Sequence, residues 1–94
     1  MADGFTVLET RDGAQTATMR LALGEESGPF GNEHPQSSQV IAVFKGEVDA
    51  QIGELTFRMR AGDCAIVAKG EPHRFVGASK EPAMTFNVYA PPAY

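Results

Sequence analysis

Glu47-Val48-Asp49-Ala50-Gln51-Ile52 and Leu55-Thr56-Phe57-Arg58-Met59-Arg60 are two alternating runs joined through Gly53-Glu54. In the first, Val48, Ala50 and Ile52 alternate with Glu47, Asp49 and Gln51. In the second, Leu55, Phe57 and Met59 alternate with Thr56, Arg58 and Arg60. A period of two puts successive side chains on opposite faces of a strand, and a central glycine supports the tight turn of a hairpin. The same period extends outward. Ala17, Met19, Leu21 and Leu23 alternate with Thr16, Thr18, Arg20 and Ala22, and Met84, Phe86 and Val88 alternate with Thr85, Asn87 and Tyr89. The run from Gln39 to Lys45 is apolar on both faces and rich in β-branched residues, so it reads as a strand covered on both sides.

Turns punctuate these runs at Arg11-Asp12-Gly13, Lys45-Gly46-Glu47, Arg60-Ala61-Gly62-Asp63, Lys69-Gly70-Glu71-Pro72 and Ser79-Lys80-Glu81-Pro82. Short strands at this spacing predict an all-β fold, an antiparallel sandwich or barrel. No window carries a helical stripe. Residues 25–38 form the longest stretch without alternation, and residues 91–94 form a proline-rich tail unable to join a central strand.

The 94 residues suit one domain. With 8 Lys and Arg against 12 Asp and Glu, the net charge of −4 argues against a phosphate-backbone binder, so no nucleic-acid partner is expected. A single cysteine makes no internal disulfide and no multi-cysteine zinc site. No apolar stretch approaches a membrane span, and residues 1–5 lack the pattern of a leader. The expectation is a soluble cytoplasmic domain.

Both histidines, His34 and His73, stand where a turn-rich segment meets a strand. Four residues separate His34 from Gln39, and six separate Gln39 from Gly46. Further on, Gly62-Asp63, Gly70 and His73 follow at fixed spacing. In this arrangement the chain resembles the cupin family. The first family motif falls on residues 28–46, with His34 at its second histidine, Gln39 at its glutamate and Gly46 at its closing glycine. The second falls on residues 62–77. The sequence departs from the motifs at Asn32 (first metal histidine), Ala68 (proline), Gly77 (final asparagine) and Glu26 (opening glycine). The resemblance implies an antiparallel double-sheet jelly-roll barrel. It also implies one divalent metal ion, Zn, Ni, Mn or Fe, with His34, Gln39, His73 and Asn32 as the metal-site residues. Small cupins that process sugar acids carry glutamine at the carboxylate position.

If the chain is extended there, Asn32 and His34 project to one face and Glu33 away. Gln39 then fixes Ile41 and Val43 inside, with Val40, Ala42 and Phe44 outside. Two imidazoles and neutral amides add no negative charge, so a bound ion would favour an anionic or enolisable oxygen ligand, and the resemblance to the sugar-acid cupins implies a sugar-derived small molecule. That predicts a metal-dependent isomerase, lyase-like or hydrolytic enzyme. The alternative is a metal-free cup that binds or senses a small molecule, or a degenerate cupin without catalysis. Cys64 reads as a small core residue rather than a nucleophile. Arg58 and Arg60 read as a solvated sheet face rather than an anion site, and Tyr89 and Tyr94 as packing or rim residues. The apolar outer face at Val40, Ala42 and Phe44 predicts a twofold homodimer, unless a terminal strand of the same chain covers it.

Overall fold

The computed structural model describes residues 4–94; Met1-Ala2-Asp3, where the reading of a missing leader begins, lies outside the described residues. The strands are β1 (Thr6–Arg11), β2 (Ala14–Leu21), β3 (Ser38–Lys45), β4 (Glu47–Ile52), β5 (Leu55–Arg60), β6 (Cys64–Val67), β7 (His73–Gly77) and β8 (Ala83–Ala90). One sheet has the order β1-β2-β8-β3-β6 and the other β5-β4-β7, with every strand pair antiparallel. This is the double-sheet jelly roll that the cupin resemblance implies, within the antiparallel all-β class that the alternation and turns predict. Among the described residues, no helix is long and apolar enough to cross a membrane.

The inner faces of the two sheets meet in one core of Met19, Leu21, Ile41, Val43, Val48, Met59, Val67 and Phe75. Burying each large side chain here stabilises the fold by roughly 1.5–3 kcal/mol. β3 has the predicted parity: Gln39, Ile41 and Val43 are buried, while Val40 and Phe44 are exposed. The predicted turns also form, with Gly46 and Gly53 at φ 72° and 58°, a region that glycine enters without strain.

Three expectations need correction. Leu55 and Phe57 point inward by parity yet remain 68% and 39% exposed, because β5 is an edge strand with no neighbour beyond it. Cys64 is exposed rather than in the core. It opens the edge strand β6 and shares the outward parity of Ile66, while Val67 faces in. Leu23 lies beyond the end of β2 and is exposed.

On β8 the polar set, Thr85, Asn87 and Tyr89, is buried, and Met84, Phe86 and Val88 face out. The buried set is internally satisfied. Thr85 Oγ1 donates to Asn87 Oδ1 at 3.0 Å, and Asn87 Nδ2 donates to the Tyr89 hydroxyl at 3.4 Å. Outside, the register aligns Ile66, Val40 and Val88 in one row and Cys64, Ala42 and Phe86 in the next. No strand of the described chain covers this face, since Val40, Phe86, Phe44 and Ile66 stay exposed.

Candidate functional site

Residues 25–31 run antiparallel to β7 and are tied to it by bridges at Glu26–Val76 and Gly31–His73. Ser27 N–H donates to the Phe75 carbonyl at 2.8 Å, and Phe75 N–H donates to Ser27 Oγ at 3.0 Å. His73 N–H donates to the Gly31 carbonyl at 2.9 Å. At the start of this segment Gly77 lies against the 22–25 turn, where a Cβ would strike the Ala22 carbonyl. That close approach accounts for glycine at the motif's asparagine position. The loop thus behaves as an irregular extra strand of the small sheet and carries His34 to His73.

The two imidazoles lie with ring centroids 4.6 Å apart, and both are buried. His34 Nδ1 donates to the Ser37 carbonyl at 3.2 Å, and His73 Nδ1 donates to the Glu71 carbonyl at 3.1 Å. A backbone carbonyl only accepts, so each Nδ1 carries a proton, and Nε2 is the ring atom left to face the pocket. Burial holds the His73 imidazole below its ordinary value, which keeps that ring neutral near pH 7. His34 Nε2 is 3.0 Å from Gln39 Oε1. A protonated Nε2 donates to that oxygen; an unprotonated one is accommodated by turning the Gln39 NH2 toward it, or the two atoms share a cation.

These groups open into a pocket of about 370 Å³, counting its open mouth. Its walls include Met19, Phe75, Tyr89 and Tyr94, with Glu33 at the rim. Burial raises the Tyr89 phenol well above its ordinary value, and Tyr94 is raised for the same reason, so both stay protonated. Among the described residues the pocket lining contains no Lys or Arg, and Glu33 is its only formally charged side chain.

The structure brings His34, Gln39 and His73 together, but not Asn32. Asn32 Oδ1 accepts the His34 backbone N–H at 3.3 Å, and the residue does not line the pocket. Glu33, expected to point away, lines the pocket instead, its carboxylate packed where a Gly28 side chain would be. The reason is local: a turn closes from Ser37 N–H to the His34 carbonyl at 3.0 Å, so residues 31–37 are not extended and parity fails. Glu71 is committed elsewhere, accepting Ala68 N–H at 3.1 Å. Arg58 and Arg60 pair with Glu47 and Asp49 on the outer face of the small sheet, so they form an ion-paired solvated face. Among the described residues, no three His, Cys, Asp or Glu converge as a metal cluster. A metal ion here would find two imidazole nitrogens and the Gln39 amide oxygen as donors, a set that suits a borderline divalent ion. Sequence reasoning missed Glu33, Met19 and Phe75 as walls; the shared parity of His73 and Phe75 was the available signal for the last.

The family model for the cupin domain matches residues 17–89. The chain belongs to the cupin family. A search of curated proteins found no match. Among solved structures, this cupin resembles the BH2720 protein of Bacillus halodurans at TM-score 0.90 and 23% identity, over 97% of this chain and 72% of that one. It resembles a sugar phosphate isomerase of the cupin superfamily from Silicibacter pomeroyi at TM-score 0.78 and 23% identity, over 94% and 60%. It also resembles KdgF from a Halomonas species at TM-score 0.83 and 14% identity, over 97% and 82%. At these identities the likeness shows a shared fold.

Proposed function

We propose that this cupin holds a divalent ion at His34, His73 and Gln39, and through it binds or transforms a small, oxygenated, anionic, sugar-derived compound. The observation that carries the proposal is the commitment of both Nδ1 atoms to backbone carbonyls, which leaves Nε2 of each ring to face one pocket beside an amide. Outer hydrogen bonds of this kind fix the tautomer and orientation of metal-binding histidines. Asn32 serves as an orienter, through the His34 amide. A bound ion would polarise a carbonyl or stabilise an enolate oxygen. The chain's own residues enclose the ligand between Met19, Phe75, Tyr89 and Tyr94. With no Lys or Arg in the lining, an anion depends on the ion for its countercharge. The isomerase and KdgF among the fold's other users support the substrate class by analogy only.

Metal analysis of protein purified without chelator, then offered Zn, Ni, Mn or Fe, tests this. About one equivalent is expected; less than about a tenth overturns it. Among the described residues no group of three His, Cys, Asp or Glu converges, which favours the second reading, a metal-free cup in which His34, Gln39 and His73 hydrogen-bond a neutral ligand directly. Ligand binding that survives exhaustive chelation selects that reading.

The proposal pairs two copies through the apolar rows around Val40, Ala42 and Phe86, since a twofold axis covers one such face with another. Light scattering at micromolar concentration decides it, a monomer refuting the dimer. The exposed free thiol of Cys64 suits the reducing cytoplasm, where the proposal places the chain.

A further inference from the structure

The tail at residues 91–94 does not trail away from the barrel. We infer that it is a strap across the mouth of the pocket, latched by the side chain of Gln15, and that Tyr94 is the movable wall controlling access to the two histidines. The inference rests on the proposed function only in taking this pocket as the place where a ligand binds.

Gln15 is 1% exposed and faces inward near the start of β2. Its oxygen accepts Ala93 N–H at 3.0 Å and Tyr94 N–H at 2.8 Å. Its nitrogen donates to the Tyr94 carbonyl at 2.7 Å and to Thr10 Oγ1 at 2.9 Å. All four hydrogen-bonding positions of the amide are thus in use, three of them on the strap. Among the described residues, no bond between backbone groups ties residues 91–94 to the barrel. A segment latched by one side chain and by the packing of its own ring, with no ladder behind it, opens without unfolding the sheets.

The strap bears directly on the site. The Tyr94 ring packs on Phe5 at 4.8 Å and edge-on to Tyr89 at 5.1 Å, and Tyr89 meets the His34 ring at 5.1 Å. Gln15 and Gln39 flank Tyr89 on one rung of the large sheet, so one amide holds the strap and the other faces His34. Tyr94 forms part of the pocket wall beside the two histidines, so a guest too large for the space left there must displace it. The strap therefore lets small guests pass and makes larger ligands lift it.

The composition offers a clean assay. The chain has two histidines, and they are 5% and 8% exposed. Diethyl pyrocarbonate modifies neutral imidazole with an absorbance change, so its rate on metal-free protein reads access to this pocket alone. Tyr94→Ala and Gln15→Met are expected to react at least about fivefold faster than wild type, as a released strap requires. Tyr94→Phe, which keeps the wall, should stay within about twofold. Amide exchange at Ala93 and Tyr94 should accelerate in Gln15→Met. Tyr94→Ala reacting at the wild-type rate overturns the inference. So does a Gln15→Met protein whose strap amides exchange freely while its histidines stay protected, or a Tyr94→Phe protein as fast as Tyr94→Ala. If Gln15→Met does not fold, the two Tyr94 variants decide. Failure to load metal would sink the proposed metal centre without changing these rates, so the two claims fail separately.

Discussion

Replacing Gly77 with alanine tests how the small sheet seats His34. The added Cβ would strike the Ala22 carbonyl and stand 2.8 Å from the Leu21 carbonyl oxygen, both backbone groups with no rotamer to escape into. Forcing a methyl into a packed site costs roughly 1–3 kcal/mol. The 22–25 turn must withdraw, which breaks Gly77 N–H to the Glu25 carbonyl (2.9 Å) and Gly24 N–H to the Gly77 carbonyl (2.8 Å). Each of those contributes about 0.5–1.5 kcal/mol. The total is about 2–6 kcal/mol, a large part of the roughly 5–14 kcal/mol available to a chain of this size. At about 4–8 °C per kcal/mol, the melting temperature should fall by at least about 8 °C. Thermal unfolding followed by circular dichroism measures this. Gly13→Ala is the control: its φ of 76° is also positive, but nothing lies within 4 Å of the new Cβ. It should cost only about 1 kcal/mol, from backbone strain. A Gly77→Ala protein that melts within about 2 °C of wild type, or no lower than Gly13→Ala, would refute the claim that the turn backs onto β7 at this point.

Other outcomes follow from the same geometry. Gln39→Glu places a carboxylate 3.0 Å from His34 Nε2 and should tighten Co²⁺ binding at least about tenfold, about 1.4 kcal/mol; unchanged affinity in a calorimetric titration would remove Gln39 from the donor set. His73→Ala should abolish stoichiometric metal loading, and full loading measured by elemental analysis would show the ligand assignment to be wrong. Phe86→Lys puts a charge in the middle of the outer apolar rows and should convert a dimer to a monomer by light scattering, with the barrel's circular dichroism unchanged. Asn87→Leu leaves Thr85 Oγ1 and the Tyr89 hydroxyl without their partner and should cost about 1–3 kcal/mol in urea unfolding; a neutral effect would mean that these groups are satisfied some other way.

Much of the frame was legible because it rests on local rules. The hairpin about Gly53 and the parity of β3 follow from a period of two and glycine turns, and the meeting of His34, Gln39 and His73 was implied by the resemblance to the cupin motifs. What stayed hidden depends on distant partners. Alternation on β8 distinguishes two faces without saying which is inside, and the polar one is, because Thr85, Asn87 and Tyr89 satisfy one another. Leu55 and Phe57 keep the inward parity, but parity cannot supply the missing neighbour of an edge strand. Asn32 and Glu33 traded places because a turn at residues 34–37 breaks the extended geometry on which parity depends. The strap was illegible as well. Gln15 reaches it across 79 residues, and nothing local to either segment announces that contact.

The bridge between Gly31 and His73 has a consequence for how an occupant is held. Both imidazoles ride on the small sheet, His73 in β7 and His34 at the end of the segment laced to it, whereas Gln39 and Tyr89 belong to the large sheet. An occupant that touches both rings and the amide therefore bridges the two sheets at this end of the barrel. His34, bonded to Ser37 just ahead of β3, is the ring tied to both of them.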